Sequence, residues 1–150
     1  MENFNMKYME KALFLAKKAA DADEVPIGAV IIQNEKVIAE AYNQRERLKN
    51  PLAHAEILAI EQASRFLQNW RLTNCLLVVT LEPCMMCLAA IQQSRIQEVV
   101  YGAKDPKGGA LSLGYRLHED LRSNHRFEVR HEDFLECGQI LTQFFAQKRR

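Results

Sequence analysis

The sequence predicts an α/β fold: a three-layer α/β/α sandwich around a central mixed sheet of about five strands. Helix-like and strand-like segments alternate along the chain. The run "CLLVVT" at 75–80 is apolar without period-two alternation, the mark of a strand buried on both faces. A helix-like segment separates it from the next such run, "EVVYGA" at 98–103. A strand–helix–strand unit of this kind makes its two strands parallel, with the helix laid across a face of the sheet.

Each element has its own signature. Residues 5–20 set Met6, Met9, Leu13, Ala16 and Ala20 at spacings of three and four, a helical apolar stripe. Gly28 to Ile32, "GAVII", reads as a short strand, "QNEK" as a turn and "VIAEAY" as a second strand, so the pair forms a hairpin. A polar loop follows. Pro51 then opens "PLAHAEILAIEQASRFL", a helix to about Leu67. After "CLLVVT", Pro83 starts the helix "PCMMCLAAIQQS", because proline suits the first helical turn. Past "EVVYGA", residues 105–114 form a Gly-rich loop, "RFEVRH" a last strand and Glu132 to Gln147 a last helix.

Composition bounds the function classes. A chain of 150 residues, 48% hydrophobic and 26% charged, suits one domain, taken here as residues 1–150, with a core of its own. No apolar run approaches the roughly 18 residues of a membrane span. The first 24 residues lack the basic start, apolar middle and small-residue cleavage site of a secretion signal, so a cytoplasmic location is expected. The net charge of +1 excludes a generally basic nucleic-acid binder. Basic residues gather only locally, at Arg45, Arg47 and Lys49 in "NQRERLKN" and in the closing "QKRR". Of four cysteines, Cys75 and Cys137 lie in apolar segments and read as ordinary buried thiols.

Cys84 and Cys87 are different. Three apart at a helix start, they share a face. Cα–Cβ bonds tilt toward the helix N-terminus, where the positive end of the dipole favours thiolate. Two thiolates there make half a metal site. His54, at the start of the preceding helix, completes a Cys2His set for Zn2+. Three protein ligands leave a fourth position for water, the mark of a catalytic zinc. Glu56 stands beside that water without ligating, placed to take its proton and pass it on. The order His-x-Glu followed by Pro-Cys-x-x-Cys is the signature of the zinc base deaminases.

The likeness extends beyond the motif. "VPIGAVII", "NPLAHAEILAI", "VVTLEPCMMC", "SRIQEVVYGAKDPKGGA" and "NHRFEV" together resemble the bacterial tRNA-specific adenosine deaminases, from about Tyr8 to Phe145. The resemblance implies a cytidine-deaminase-like fold, one zinc ion per chain, a homodimer, and conversion of adenosine to inosine at the wobble position of a tRNA anticodon stem-loop. By that resemblance His54, Cys84 and Cys87 hold the metal and Glu56 shuttles the proton. Asn43 hydrogen-bonds the flipped nucleotide, while the Ala55 N–H and the Leu81–Glu82 segment meet the base edge and leaving group. Val25 and Pro26 wall the pocket, and Asp105 lies near the RNA. Phe144, Phe145, Lys148 and Arg149 belong to a terminal helix that approaches the anticodon loop. The chain departs from the family in the Gly-rich loop, with Leu111–Ser112 where Gly-Ser is frequent. Two other readings stay open: a guanine- or cytosine-type deaminase of free bases or nucleosides, with the same zinc chemistry, and a non-enzymatic zinc-stabilised RNA-binding subunit, for which Glu56 would have no use.

Overall fold

The structure, a computed structural model, describes residues 4–148. Its centre is β3 (Cys75–Leu81), every residue of which is buried except the last. One side of β3 pairs antiparallel with β1 (Gly28–Gln33), which pairs antiparallel with β2 (Lys36–Tyr42). The other side pairs parallel with β4 (Glu98–Ala103), and β4 parallel with β5 (Glu128–His131). The five-stranded mixed sheet thus runs β2-β1-β3-β4-β5, as the alternation and the hairpin predicted. Asn34 and Glu35 close that hairpin with φ of 52° and 65°, the left-handed pair of a two-residue turn whose twist matches the strands.

Side chains alternate across the sheet and form two cores. On one face Val30, Val78 and Val100 meet Met9 and Leu13 of α1 (Met6–Asp21) and Cys137 of α5 (Leu135–Lys148). On the other, Ile31, Leu77, Val79 and Val99 meet α3 (Ala55–Leu67) and α4 (Met85–Gln93) through Ala59, Ala63, Leu88 and Ile91. Cys75 and Cys137 are fully buried, as expected. Among the described residues no helix is long and apolar enough to cross a membrane.

α1 lies so close to β1 that a Cβ on Gly28 would collide with the backbone of Ala12 and Ala16. Backbone cannot step aside as a flexible side chain can. Gly28→Ala is therefore expected to destabilise the protein by about 3 kcal/mol, the upper end for overpacking, read as a lower midpoint in denaturant at unchanged slope.

Three helix starts differ by two residues or more from the sequence reading, each for a local reason. The helix expected from Pro51 begins at Ala55, because Asn50 turns the chain first: its side chain accepts from Leu52 N–H and its carbonyl from Ala53 N–H. The helix expected from Pro83 begins at Met85, with Cys84 extended as its N-cap (ψ 174°). The last helix starts at Leu135 rather than Glu132, because Glu132 and Phe134 donate to Tyr101 and Gly102 carbonyls and stay extended along the end of β4. Within the presumed polar loop stands a one-turn helix, α2 (Arg45–Leu48).

Candidate active site

The N-termini of α3 and α4 meet beside the carboxyl end of β3, and the chemistry-bearing residues sit on those two ends. His54 is the N-cap of α3 and Cys84 the N-cap of α4, while Glu56 and Cys87 lie in the first turns. The His54 side chain does not cap its own helix, so it is free to face the two thiols. His54 Nδ1 stands 3.7 Å from Cys84 Sγ and 3.5 Å from Cys87 Sγ, and the three donor atoms all lie within 4.8 Å of one another. A tetrahedral ion with the bond lengths of zinc separates its nitrogen and sulfur ligands by about 3.6 Å. The trio therefore fits such an ion with little adjustment.

Protons now bind the group together. The hydrogen bond from Cys87 draws the Cys84 thiol down to about 4, with further help from His54, and the same contact pushes Cys87 up. The hydrogen bond to Cys84 raises His54 above its ordinary value against the opposing effect of burial. A divalent cation would replace those shared protons, since metal ligands bind deprotonated. Both helix dipoles point their positive ends at the thiolate charge. Glu56 is 4% exposed, and burial lifts its carboxyl to about 7, where it gives and takes a proton near neutrality.

A cavity of about 760 Å³ opens above the trio. Of the residues expected there, Val25, Asn43, His54, Glu56, Leu81, Glu82, Cys84 and Asp105 line it, and Cys87 is fully buried beside His54. Pro26 does not line it: Ile27 N–H donates to the Val25 carbonyl at 2.8 Å, which makes Pro26 the centre of a three-residue turn, while Val25 and Ile27 form the wall. The Ala55 N–H, expected to meet the base, donates to Asn43 Oδ1 at 2.7 Å, which leaves the Asn43 amide hydrogens for a ligand. Glu82 is 3% exposed and its carboxylate faces the Gly-rich loop, accepting from Asp105 N–H, Ser112 N–H and Ser112 hydroxyl at 3.1, 2.7 and 2.6 Å. Gly109 has no room for a Cβ against that carboxylate. Glu82 thus holds the loop in place, and Ser112, at the point of departure from the family, is its partner. Asp105 Oδ1 accepts from Lys107 and Gly108 N–H and shapes the same loop.

Sequence reasoning missed part of the lining. Lys104 and Lys107, bracketing Asp105, join Arg45 at the cavity. Leu141, Thr142 and Phe145 present one face of α5 to it. The two phenylalanines divide: Phe144 packs inward and Phe145, 42% exposed, faces the cavity. Lys148 pairs with Asp23 at 2.5 Å, and Arg149 lies outside the described residues. The charge pattern of "AKDPK" could have suggested the lysines; nothing in the α5 sequence says which face meets the cavity.

A family model described as MafB19-like deaminase matches residues 3–149. The chain is 46% identical over 144 residues to the tRNA-specific adenosine deaminase of Bacillus subtilis, covering 95% of this chain and 89% of that one. A solved structure from a study of A-to-I editing by tRNA:A34 deaminases at the wobble position of transfer RNA matches at TM-score 0.83 and 40% identity, over 93% of this chain and 99% of that one. A guanine deaminase from Bacillus subtilis matches at TM-score 0.65 and 28% identity, over 100% of this chain and 96% of that one.

Proposed function

Since this chain belongs to the tRNA-specific adenosine deaminases, we infer that it converts adenosine to inosine by hydrolysis at the wobble position of a tRNA anticodon. The observation that carries this reading is a His–Cys–Cys donor set with a buried, unligated carboxyl beside it, in a cavity lined by three cationic side chains.

His54, Cys84 and Cys87 would hold one zinc ion, whose Lewis acidity brings the pKa of a water near neutrality. Glu56 takes a proton from the attacking water and delivers it to the adenine ring nitrogen as oxygen bonds to C6. The same carboxyl then moves the second proton to the amino group, which leaves as ammonia and restores the starting charge. The Asn43 amide hydrogens face acceptors on the purine, and Val25, Ile27 and Leu81 enclose the base. Desolvation by these walls keeps the Glu56 carboxyl poised near neutral pH.

Arg45, Lys104 and Lys107 suit the phosphates of a splayed loop, and the exposed Phe145 ring suits stacking on a neighbouring base. A free base needs neither, which favours an anticodon loop over a guanine-type substrate. Few phosphates are engaged, so the net charge of +1 is no obstacle. The whole chain is read as one deaminase domain. Leu48, Leu52, Leu113 and Tyr115 expose half or nearly half of their surface, which supports a homodimer. A cytoplasmic site of action follows from a tRNA substrate.

The test is inosine formation by zinc-loaded protein on a synthetic anticodon stem-loop with adenosine at the wobble position, with guanine and cytidine run in parallel. Inosine in the stem-loop alone is the expected result. Ammonia from a free base or nucleoside alone would keep the chemistry and overturn the substrate.

A further inference from the structure

Two basic segments flank the cavity: the loop that begins at Lys104, and α2, which carries Arg45. Buried Glu82 anchors the loop. What holds α2 is less obvious. It is a single turn of four residues, none of them buried, too short to persist by its own hydrogen bonds. Its N-cap residue, Gln44, supplies no side-chain cap. The acceptor comes instead from Glu24, about twenty residues earlier and 2% exposed. One Glu24 carboxylate oxygen accepts from Glu46 N–H at 3.1 Å and the other from Arg47 N–H at 2.8 Å. These are the first-turn donors that a helix leaves unsatisfied, and a carboxylate on them also meets the positive end of the dipole. Glu24 directly precedes Val25 in the cavity wall, so one short segment sets both the wall and the turn that presents Arg45.

We propose that Glu24 is a positioning residue for RNA binding: it caps α2 from a distance and thereby holds Arg45 where it meets a phosphate of the anticodon loop. The proposal rests on the substrate reading given above. Glu24 touches neither the substrate nor the metal donors, so its loss acts on binding and leaves the chemical step alone.

The experiment compares wild type, Glu24→Ala, Glu24→Gln, Arg45→Ala and the double variant Glu24→Ala/Arg45→Ala on the wobble-adenosine stem-loop, with zinc content measured for each. For Glu24→Ala, KM is expected to rise about tenfold with kcat within twofold, and the slope of log kcat/KM against log salt to become shallower by about one. Glu24→Gln keeps one acceptor and should fall between. In the Arg45→Ala background the further loss of Glu24 should change KM by less than about twofold, because both changes remove one interaction. Unchanged KM and salt slope in Glu24→Ala and Glu24→Gln would overturn the proposal. So would a loss that multiplies with Arg45→Ala, or a fall in kcat with loss of zinc, either of which marks a general structural role. Wild type inactive on the stem-loop would instead defeat the substrate reading, and the two failures are thereby distinguished.

Discussion

Glu56→Gln is expected to lower inosine formation by about 10³-fold, the middle of the range for a positioned proton-transfer group. The amide has nearly the shape of the carboxyl but cannot take the proton of the attacking water. Zinc content should remain at one per chain, since Glu56 lies outside the His54, Cys84, Cys87 donor set. Thermal stability should hold or rise. Burial already pushes this carboxyl to about 7, so a neutral side chain is at ease there. The combination to be measured is therefore lost turnover in a protein that binds zinc and melts like wild type. Activity within tenfold of wild type would assign the proton transfer to another group.

Cys84→Ala is expected to act on metal and fold together. With two donors left the ion is lost, and inosine formation should fall by more than about 100-fold, the upper end of what removal of a merely supporting partner costs. Zinc measured by atomic absorption should drop well below one per chain. A metal at one hundred times its dissociation constant stabilises by about 2.7 kcal/mol, which for a chain of this size moves the melting point by about 5–10 °C. Chelation of the wild type should lower its melting point by a similar amount and re-addition of zinc should restore it. Full zinc occupancy in Cys84→Ala would remove this thiol from the ligand set.

Much of the site was legible without coordinates, because its core is written locally. His54 and Glu56 are two residues apart, Cys84 and Cys87 three, and each pair stands at a helix start. The shift of both starts by a few residues did not matter to the reading: as N-cap residues in extended backbone, His54 and Cys84 still direct their side chains at the junction of the two helices. The roles of single polar residues were less legible. Glu82 and Asp105 stand next to the cavity in sequence and in space, yet their carboxylates face backbone N–H groups of the loop. A carboxylate that meets a ligand and one that organises a turn look alike in a sequence. Only the partners distinguish them.

By itself the sequence determined the α/β class, the order of the five strands along the chain, and that one histidine, two cysteines and a glutamate of these positions stand together at two helix starts. These rest on hydrophobic period, proline and spacing, which act over a few residues and leave a readable pattern. Tertiary structure alone decided the rim: that Arg45, Lys104 and Lys107 converge, that Phe145 turns to the cavity while Phe144 packs inward, that Asn43 engages the Ala55 N–H, and that Glu24 and Glu82 anchor segments about twenty to thirty residues away. Such pairings depend on how close the packed layers bring distant loops, and no local periodicity records that distance.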